Sequence, residues 1–157
     1  MIPKKIIKFL EKAKIKYEPI KHRTVYTAYD KSQTLKVPEK IVGKTLILRT
    51  NGKLAVVLIS ASKNLDINKL KKIAKVKKVE FISEKLIKNK IKGVKVGAIP
   101  PFGNLWKLPT FIDRTLFNQL KIIVNGGDYN WSIRISTASL KKLISNLVIG
   151  SFSKAKK

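Results

Sequence analysis

The sequence predicts a mixed α/β domain of the α+β type, with one mixed β-sheet and helices packed around it. Three observations carry this expectation. The chain has 157 residues, 44% of them hydrophobic, which suits one ordinary domain with its own core. Two apolar stretches, Lys40–Arg49 and Lys53–Ser60, flank Thr50-Asn51-Gly52, which supplies hairpin chemistry. Helical patterns stand at both ends with strands of uneven spacing between them, and no repeat or linker divides the chain. Residues 1–150 are read as the domain and residues 151–157 as a frayed basic tail.

The elements follow in order. Pro3–Lys14 reads as a helix: Ile6, Leu10 and Ala13 share one face, and Pro3 suits a first turn. Lys16–Lys21 is a short strand. Thr27–Leu35 is a helix started by Thr27 and ended before Pro38. The two strands of the hairpin come next, then a helix over Asp66–Ala74 with Asp66 near its N-terminus. Val79–Ile82 reads as a strand and Ser83–Lys88 as a short helix that Ser83 can cap. Gly93–Pro109 is an irregular loop, loosened by three glycines and stiffened by three prolines. Phe111–Leu116 and Lys121–Val124 are strands, and Asn125-Gly126-Gly127-Asp128 is a turn. Trp131–Ile135 alternates apolar and polar residues as a half-buried strand does. Thr137–Leu147 closes the domain as a helix.

Charge narrows the partner. The formal net charge is +26, from 35 Lys+Arg against 9 Asp+Glu. A domain this basic repels itself, and a polyanion relieves the strain; nucleic acid is the usual one, through counterion release. Lysine outnumbers arginine 31 to 4, however, a bias that an A/T-rich coding sequence also produces. Arginine, the better residue for bidentate phosphate recognition, is scarce. Without cysteine the chain has no disulfide, no thiolate metal site and no Cys nucleophile. Its longest apolar run, Leu54–Ile59, is far below the ~18 residues of a membrane span. The cytoplasm is the expected location, with no membrane partner.

The chemical inventory is sparse. His22 is the single histidine, so a His-based zinc site or a serine triad has little to work with. No phosphate-binding glycine motif is present, and the nine carboxylates form no close pair in sequence. Backbone amides, hydroxyls, a lysine and groups on the substrate remain. Lys44 stands inside the apolar strand IVGKTLIL with the parity of Val42, Leu46 and Leu48, either snorkelling to water or poised in a pocket. Gly93–Gly103 (GVKVGAIPPFG) is either a structural loop or a backbone cradle able to form an oxyanion hole.

These pieces together resemble a known family. HRTVYTAYDKSQTL (His22–Leu35), IVGKTLIL (Ile41–Leu48), GAIPPFG (Gly97–Gly103), FIDRTL (Phe111–Leu116) and the Gly-Gly turn before the last strand are similar to the YbaK/ProXp aminoacyl-tRNA deacylases. Those proteins are relatives of the editing domain of bacterial prolyl-tRNA synthetases, and the match in order and spacing runs over about residues 3–148. The resemblance implies a barrel-like mixed sheet with surrounding helices. It implies hydrolysis of the ester of a mischarged tRNA, chiefly tRNA for proline carrying Ala, Cys, Ser or Thr, with no cofactor and no metal. Lys44 takes the family's essential lysine position, and Gly97 through Pro101 would offer amides to the developing oxyanion. Tyr26, Thr27, Ala98, Ile99, Pro100, Phe102, Gly103, Asp113, Gly126 and Gly127 would contact the substrate. The family's attacking water is aligned by a ribose hydroxyl of the tRNA. His22 matches a family position and is given a structural role. Alanine-specific members carry a histidine near the C-terminal turn, where this chain reads Val124-Asn125-Gly126-Gly127. The implied partners are the acceptor end of an aminoacyl-tRNA and a prolyl-tRNA synthetase.

Two other readings stand beside this one. The same fold can serve as a tRNA- or RNA-binding module without catalysis. A basic membrane-surface or ribosome-associated protein is the third, since the first helix is basic and amphipathic.

Overall fold

The hairpin forms as its turn residues require. In the computed structural model, which describes residues 1–156, β2 (Gly43–Thr50) and β3 (Lys53–Ser60) pair antiparallel from Gly43 opposite Ser60 to Thr50 opposite Lys53. Asn51 and Gly52 at the tip have φ of 47° and 84°, the two positive values a type I′ turn needs. The Asn51 side chain also accepts from the Lys77 and Lys78 amides at 3.1 and 3.0 Å, which fastens the turn to β5 (Val79–Phe81).

β3 is the central strand. The sheet runs β5-β2-β3-β6-β9, with β6 (Thr110–Asp113) parallel to β3 and β9 (Val148–Gly150) parallel to β6. Both faces of β3 are covered, which is why KLAVVLIS is apolar without alternation. Leu58 packs into a core with α1 (Lys4–Lys12) through Ile6 and Leu10, and with Phe102, Ile133 and Leu140. Ala55, Val57 and Ile59 meet Leu70 of α3 (Ile67–Ala74) and Phe152 on the other face.

A second sheet runs β1-β8-β7, all antiparallel, from β1 (Glu18–Lys21), β8 (Trp131–Ser136) and β7 (Lys121–Asp128). The two sheets touch at a parallel bridge between Val42 and Ile123. No sheet closes on itself, so the expected barrel-like form is corrected to open sheets. β5 is a three-residue edge, and β1 at the other extreme contains Pro19, which has no N–H to continue a ladder.

Several elements depart from expectation for local reasons. Pro38 opens a 3-10 turn over Glu39–Ile41, so β2 starts at Gly43 rather than Lys40. β7 does not stop at Val124. It runs on through Asn125-Gly126-Gly127, where the register jumps from Asn125 opposite Ser132 to Asp128 opposite Trp131. The glycine pair makes a β-bulge, and the turn falls one step later at Tyr129-Asn130. The strand expected over Phe111–Leu116 ends at Asp113, whose carboxylate accepts from the Thr115 amide and starts a 3-10 turn over Arg114–Asn118. The last helix, α5 (Thr137–Leu143), stops early, leaving room for β9.

The segment after residue 150 is not frayed over its described part; Lys157 lies outside the described residues. Phe152 is fully buried, worth about 2–3 kcal/mol of apolar burial. β10 (Ser153–Ala155) pairs antiparallel with β4 (Lys63–Leu65). The Asp113 carboxylate accepts from the Phe152 amide at 2.8 Å and the Ser153 hydroxyl at 2.8 Å. No helix among the described residues is long and apolar enough to cross a membrane.

Candidate functional site

Lys44 and Asn125 come together because two strands converge. Val42 of the segment entering β2 bridges Ile123 of β7 in parallel. Two residues further along each strand stand Lys44 and Asn125. Gly43 permits the approach: a Cβ there would lie 2.9 Å from Leu58 Cδ1 and 3.4 Å from Val124 Cγ1. Lys44 and Asn125 line one cavity of about 330 Å³, together with Tyr26, Thr27, Tyr29 and Gly97.

Three segments build the walls. The first is the start of α2 (Ala28–Leu35), whose N-cap Thr27 accepts from the Asp30 amide at 3.0 Å. Tyr26 and Tyr29 precede and enter this helix, and both rings are exposed, Tyr26 resting edge-on against Tyr129 at 4.9 Å. The second is the loop after α4 (Glu84–Lys90), where Gly97 has φ of 88°. The loop is held to the β7–β8 hairpin at several points. Lys95 N–H donates to Gly127 O at 3.0 Å, Gly127 N–H to Ala98 O at 2.8 Å, and the Tyr129 hydroxyl to Val96 O at 2.6 Å. Asn125 Nδ2 donates to Ile99 O at 3.1 Å. The third wall is the C-terminal segment, which brings Lys156 to the rim, 3.4 Å from Glu39.

The amide supply of the loop is narrow. Pro100 and Pro101 have no N–H. Ala98 N–H already donates to Lys95 O at 3.0 Å. The Gly97 and Ile99 amides make no hydrogen bond among the described residues, and Gly97 lines the cavity. A larger hollow of about 740 Å³ opens at the other end of β7, lined by Lys14, Lys16, Lys121, Arg134 and Lys142. It holds none of the site residues expected from the sequence, and Glu18 there pairs with Arg134 at 3.4 Å. The smaller cavity is therefore the candidate site.

The model of the aminoacyl-tRNA editing domain matches residues 22–143. The chain belongs to the aminoacyl-tRNA editing domain family. Solved structures agree on the fold. The hypothetical protein APE2540 is 23% identical with a TM-score of 0.86, over 96% of this chain and 99% of that one. A proposed trans-editing enzyme for prolyl tRNA synthetase is 18% identical with a TM-score of 0.81, over 97% and 96% of the two chains. A scaffold protein used for epitope backbone grafting is 17% identical with a TM-score of 0.80, over 98% and 97%.

Within this editing domain the residues expected at the site divide into three groups. Lys44, Gly97, Tyr26 and Thr27 line the cavity. Ala98 and Ile99 are buried beside it, held by Gly127 and Asn125. The others do not line it. Pro100, Pro101 and Phe102 are buried, with Phe102 in the core 5.7 Å from the Phe9 ring. Gly103 is closed in by Thr110 and Leu108, and its amide donates to Thr110 Oγ1 at 3.1 Å. Asp113 is fully buried and its carboxylate is occupied by the C-terminal segment and Thr115. Gly126 faces the Trp131 backbone. Gly127 supports α1: a Cβ would lie 2.7 Å from Ile6 Cδ1 and 2.9 Å from Pro3, at φ of 88°. Gly127→Ala is therefore expected to destabilise by about 1–3 kcal/mol, read as a lower urea midpoint with an unchanged slope. An unchanged midpoint would contradict this packing.

His22, for which a structural role was expected, lies outside the residues that line the cavity and makes two hydrogen bonds. Its Nδ1–H donates to Arg23 O at 2.7 Å, so Nε2 accepts from the Ser132 hydroxyl at 2.9 Å. Burial first, and then the charges of Lys31 and Arg23, hold its pKa below the ordinary value, against the raising effect of the Arg23 carbonyl.

Four residues at or behind the cavity escape sequence reasoning. Tyr29 follows Tyr26 at i+3, a helical spacing that signals a shared face. Asn125 interrupts the apolar run Ile122–Val124 just before the bulge. Lys31 and Lys156 carry no such signal among 31 lysines. Lys31 is nevertheless only 5% exposed, and its Nζ donates to Asn125 Oδ1 at 2.5 Å. Desolvation by burial pushes its pKa down to about 8.

Proposed function

We propose that this chain is a trans-editing aminoacyl-tRNA deacylase, acting on tRNA for proline carrying Ala, Cys, Ser or Thr. One observation carries the reading furthest: Lys44 and Gly97, whose amide makes no hydrogen bond among the described residues, line the same small cavity in a member of the editing domain family.

The chemistry is ester hydrolysis. Water adds to the carbonyl carbon linking the amino acid to the terminal ribose, and the carbonyl oxygen becomes an oxyanion. The Gly97 N–H and the Lys44 ammonium stabilise that charge. The C–O bond to the ribose then breaks, the ribose oxygen takes up a proton, and a free amino acid and an uncharged tRNA leave. One such backbone donor is typically worth ~10²–10³ in rate. A ribose hydroxyl of the tRNA aligns the water, as in the family. The exposed rings of Tyr26 and Tyr29 at the mouth suit stacking on the terminal base.

The test is a deacylation panel of Ala, Cys, Ser, Thr and Pro, each on tRNA for proline and on its own tRNA. Hydrolysis of one or two mischarged species with correct prolyl-tRNA left intact is the expected result. Salt-sensitive tRNA binding without hydrolysis of any ester would instead identify a binding module. The surface lysines act as a diffuse attraction, so raising salt should weaken capture, read as KM, far more than kcat. An equal fall in both would refute that division of roles.

A further inference from the structure

We propose that Lys31 is a positioning residue of this site, which fixes the orientation of the Asn125 amide and through it holds the Gly97–Ile99 segment over the cavity. The functional consequence rests on the deacylase reading above; the geometry stands without it.

Lys31 lies one helical turn beyond Thr27, and its amide donates to Thr27 O at 3.1 Å. Among the described residues Lys31 is the one lysine that is buried, and it makes no ion pair there. A buried ammonium facing a neutral amide is a costly arrangement. What it achieves follows from the donor inventory. An ammonium can only donate, so it selects Asn125 Oδ1 and not Nδ2. The Nδ2 of the same amide is thereby turned to the other side, where Ile99 O accepts it at 3.1 Å. Ile99 is two residues from Gly97, and Gly97 and Asn125 both line the cavity. Without the ammonium the amide can flip. The flipped form sets Oδ1 against Ile99 O, two acceptors facing each other, and the loop loses its anchor at Ile99 while those at Lys95, Val96 and Ala98 remain.

The surroundings reinforce a single orientation. Asn125 stands opposite Ser132 in the β7–β8 ladder, and the Ser132 hydroxyl is turned away to His22 Nε2 at 2.9 Å. His22 is partly buried and feels the charges of Lys31 and Arg23, which together lower its pKa and favour the neutral ring. The lowered pKa of Lys31 places the loss of its proton within reach of an ordinary pH series.

The experiment combines kinetics with an activity-independent probe. Deacylation is measured for wild type, Lys31→Met, Asn125→Ala and the double variant, using a mischarged tRNA from the panel. Each single change should lower kcat ~10–100-fold with KM within about twofold, because a small displacement of catalytic groups acts on rate. The double variant should be no slower than the slower single. In amide-resolved NMR spectra, Lys31→Met should shift the Asn125 side-chain amide and the Gly97 and Ile99 backbone amides. Full kcat in Lys31→Met, losses that multiply in the double variant, or unmoved resonances would each overturn the proposal. Should Lys31→Met not fold, Asn125→Asp decides: it keeps the ammonium paired and removes the donor to Ile99 O. A folded Asn125→Asp variant with reduced kcat supports the tether, and an unchanged kcat overturns it. If wild type cleaves no mischarged tRNA, the deacylase reading fails, and the resonances alone decide the role of Lys31.

Discussion

Lys44→Ala should abolish deacylation, by a factor of 10² at the least, in a protein that stays folded. The exposed Lys44 side chain contributes little to the core, while its backbone remains paired with Ile59 in the hairpin. Exposed substitutions of this kind usually shift stability by less than ~0.5 kcal/mol. Single-turnover hydrolysis separates its effect on chemistry from its effect on binding. Lys44→Arg should recover tRNA affinity but not rate, because a planar guanidinium cannot place its charge where a compact ammonium does. Lys156→Ala is the natural contrast. It removes a second rim cation, already shared with Glu39, and should raise KM with little change in kcat. Substantial turnover by Lys44→Ala would remove the lysine from the mechanism.

Asp113→Ala should produce the largest loss of stability. One buried carboxylate accepts from the Thr115 amide, the Thr115 hydroxyl, the Phe152 amide and the Ser153 hydroxyl. Its removal leaves these donors unpaired in and around the core and loosens the segment that buries Phe152. The expected cost is about 3–5 kcal/mol. For a domain of this size that lowers Tm by on the order of 10 °C. Urea and thermal unfolding measure it, and trypsin should cut the variant near Lys154 and Lys156 faster than wild type. The resemblance to deacylases implied a substrate contact for Asp113. A variant with normal stability and a raised KM would restore that role.

What the sequence revealed, and what it concealed, follows physical lines. The central hairpin was legible because two long apolar strands flank a turn that demands positive φ. The caps at Thr27, Asp66 and Ser83 were legible because each short polar side chain precedes a helical pattern. The strands β4, β9 and β10 were not, since three residues are too few to show a period; β5, equally short, was legible only within the longer stretch Val79–Ile82. The Gly126-Gly127 pair announced unusual backbone, but a bulge and a turn use the same residues. At the site, Lys44 stood out as a charge in an apolar strand, and Gly97 as part of a loop stiffened by prolines. Asn125 needed the register of two sheets to join the site. Lys31 needed its burial to be known, since nothing in the residues around it separates it from thirty others.

The anchoring of residues 152–155 matters for anyone who handles the molecule. Phe152 and Asp113 fix the chain's direction, and Lys156 emerges at the lip of the cavity. Any purification handle, fluorophore or fused protein joined to the C-terminus follows a chain that has just lined the cavity with Lys156. A weak result from such a preparation would report obstruction as readily as chemistry. Handles belong at the other end, ahead of the exposed Met1.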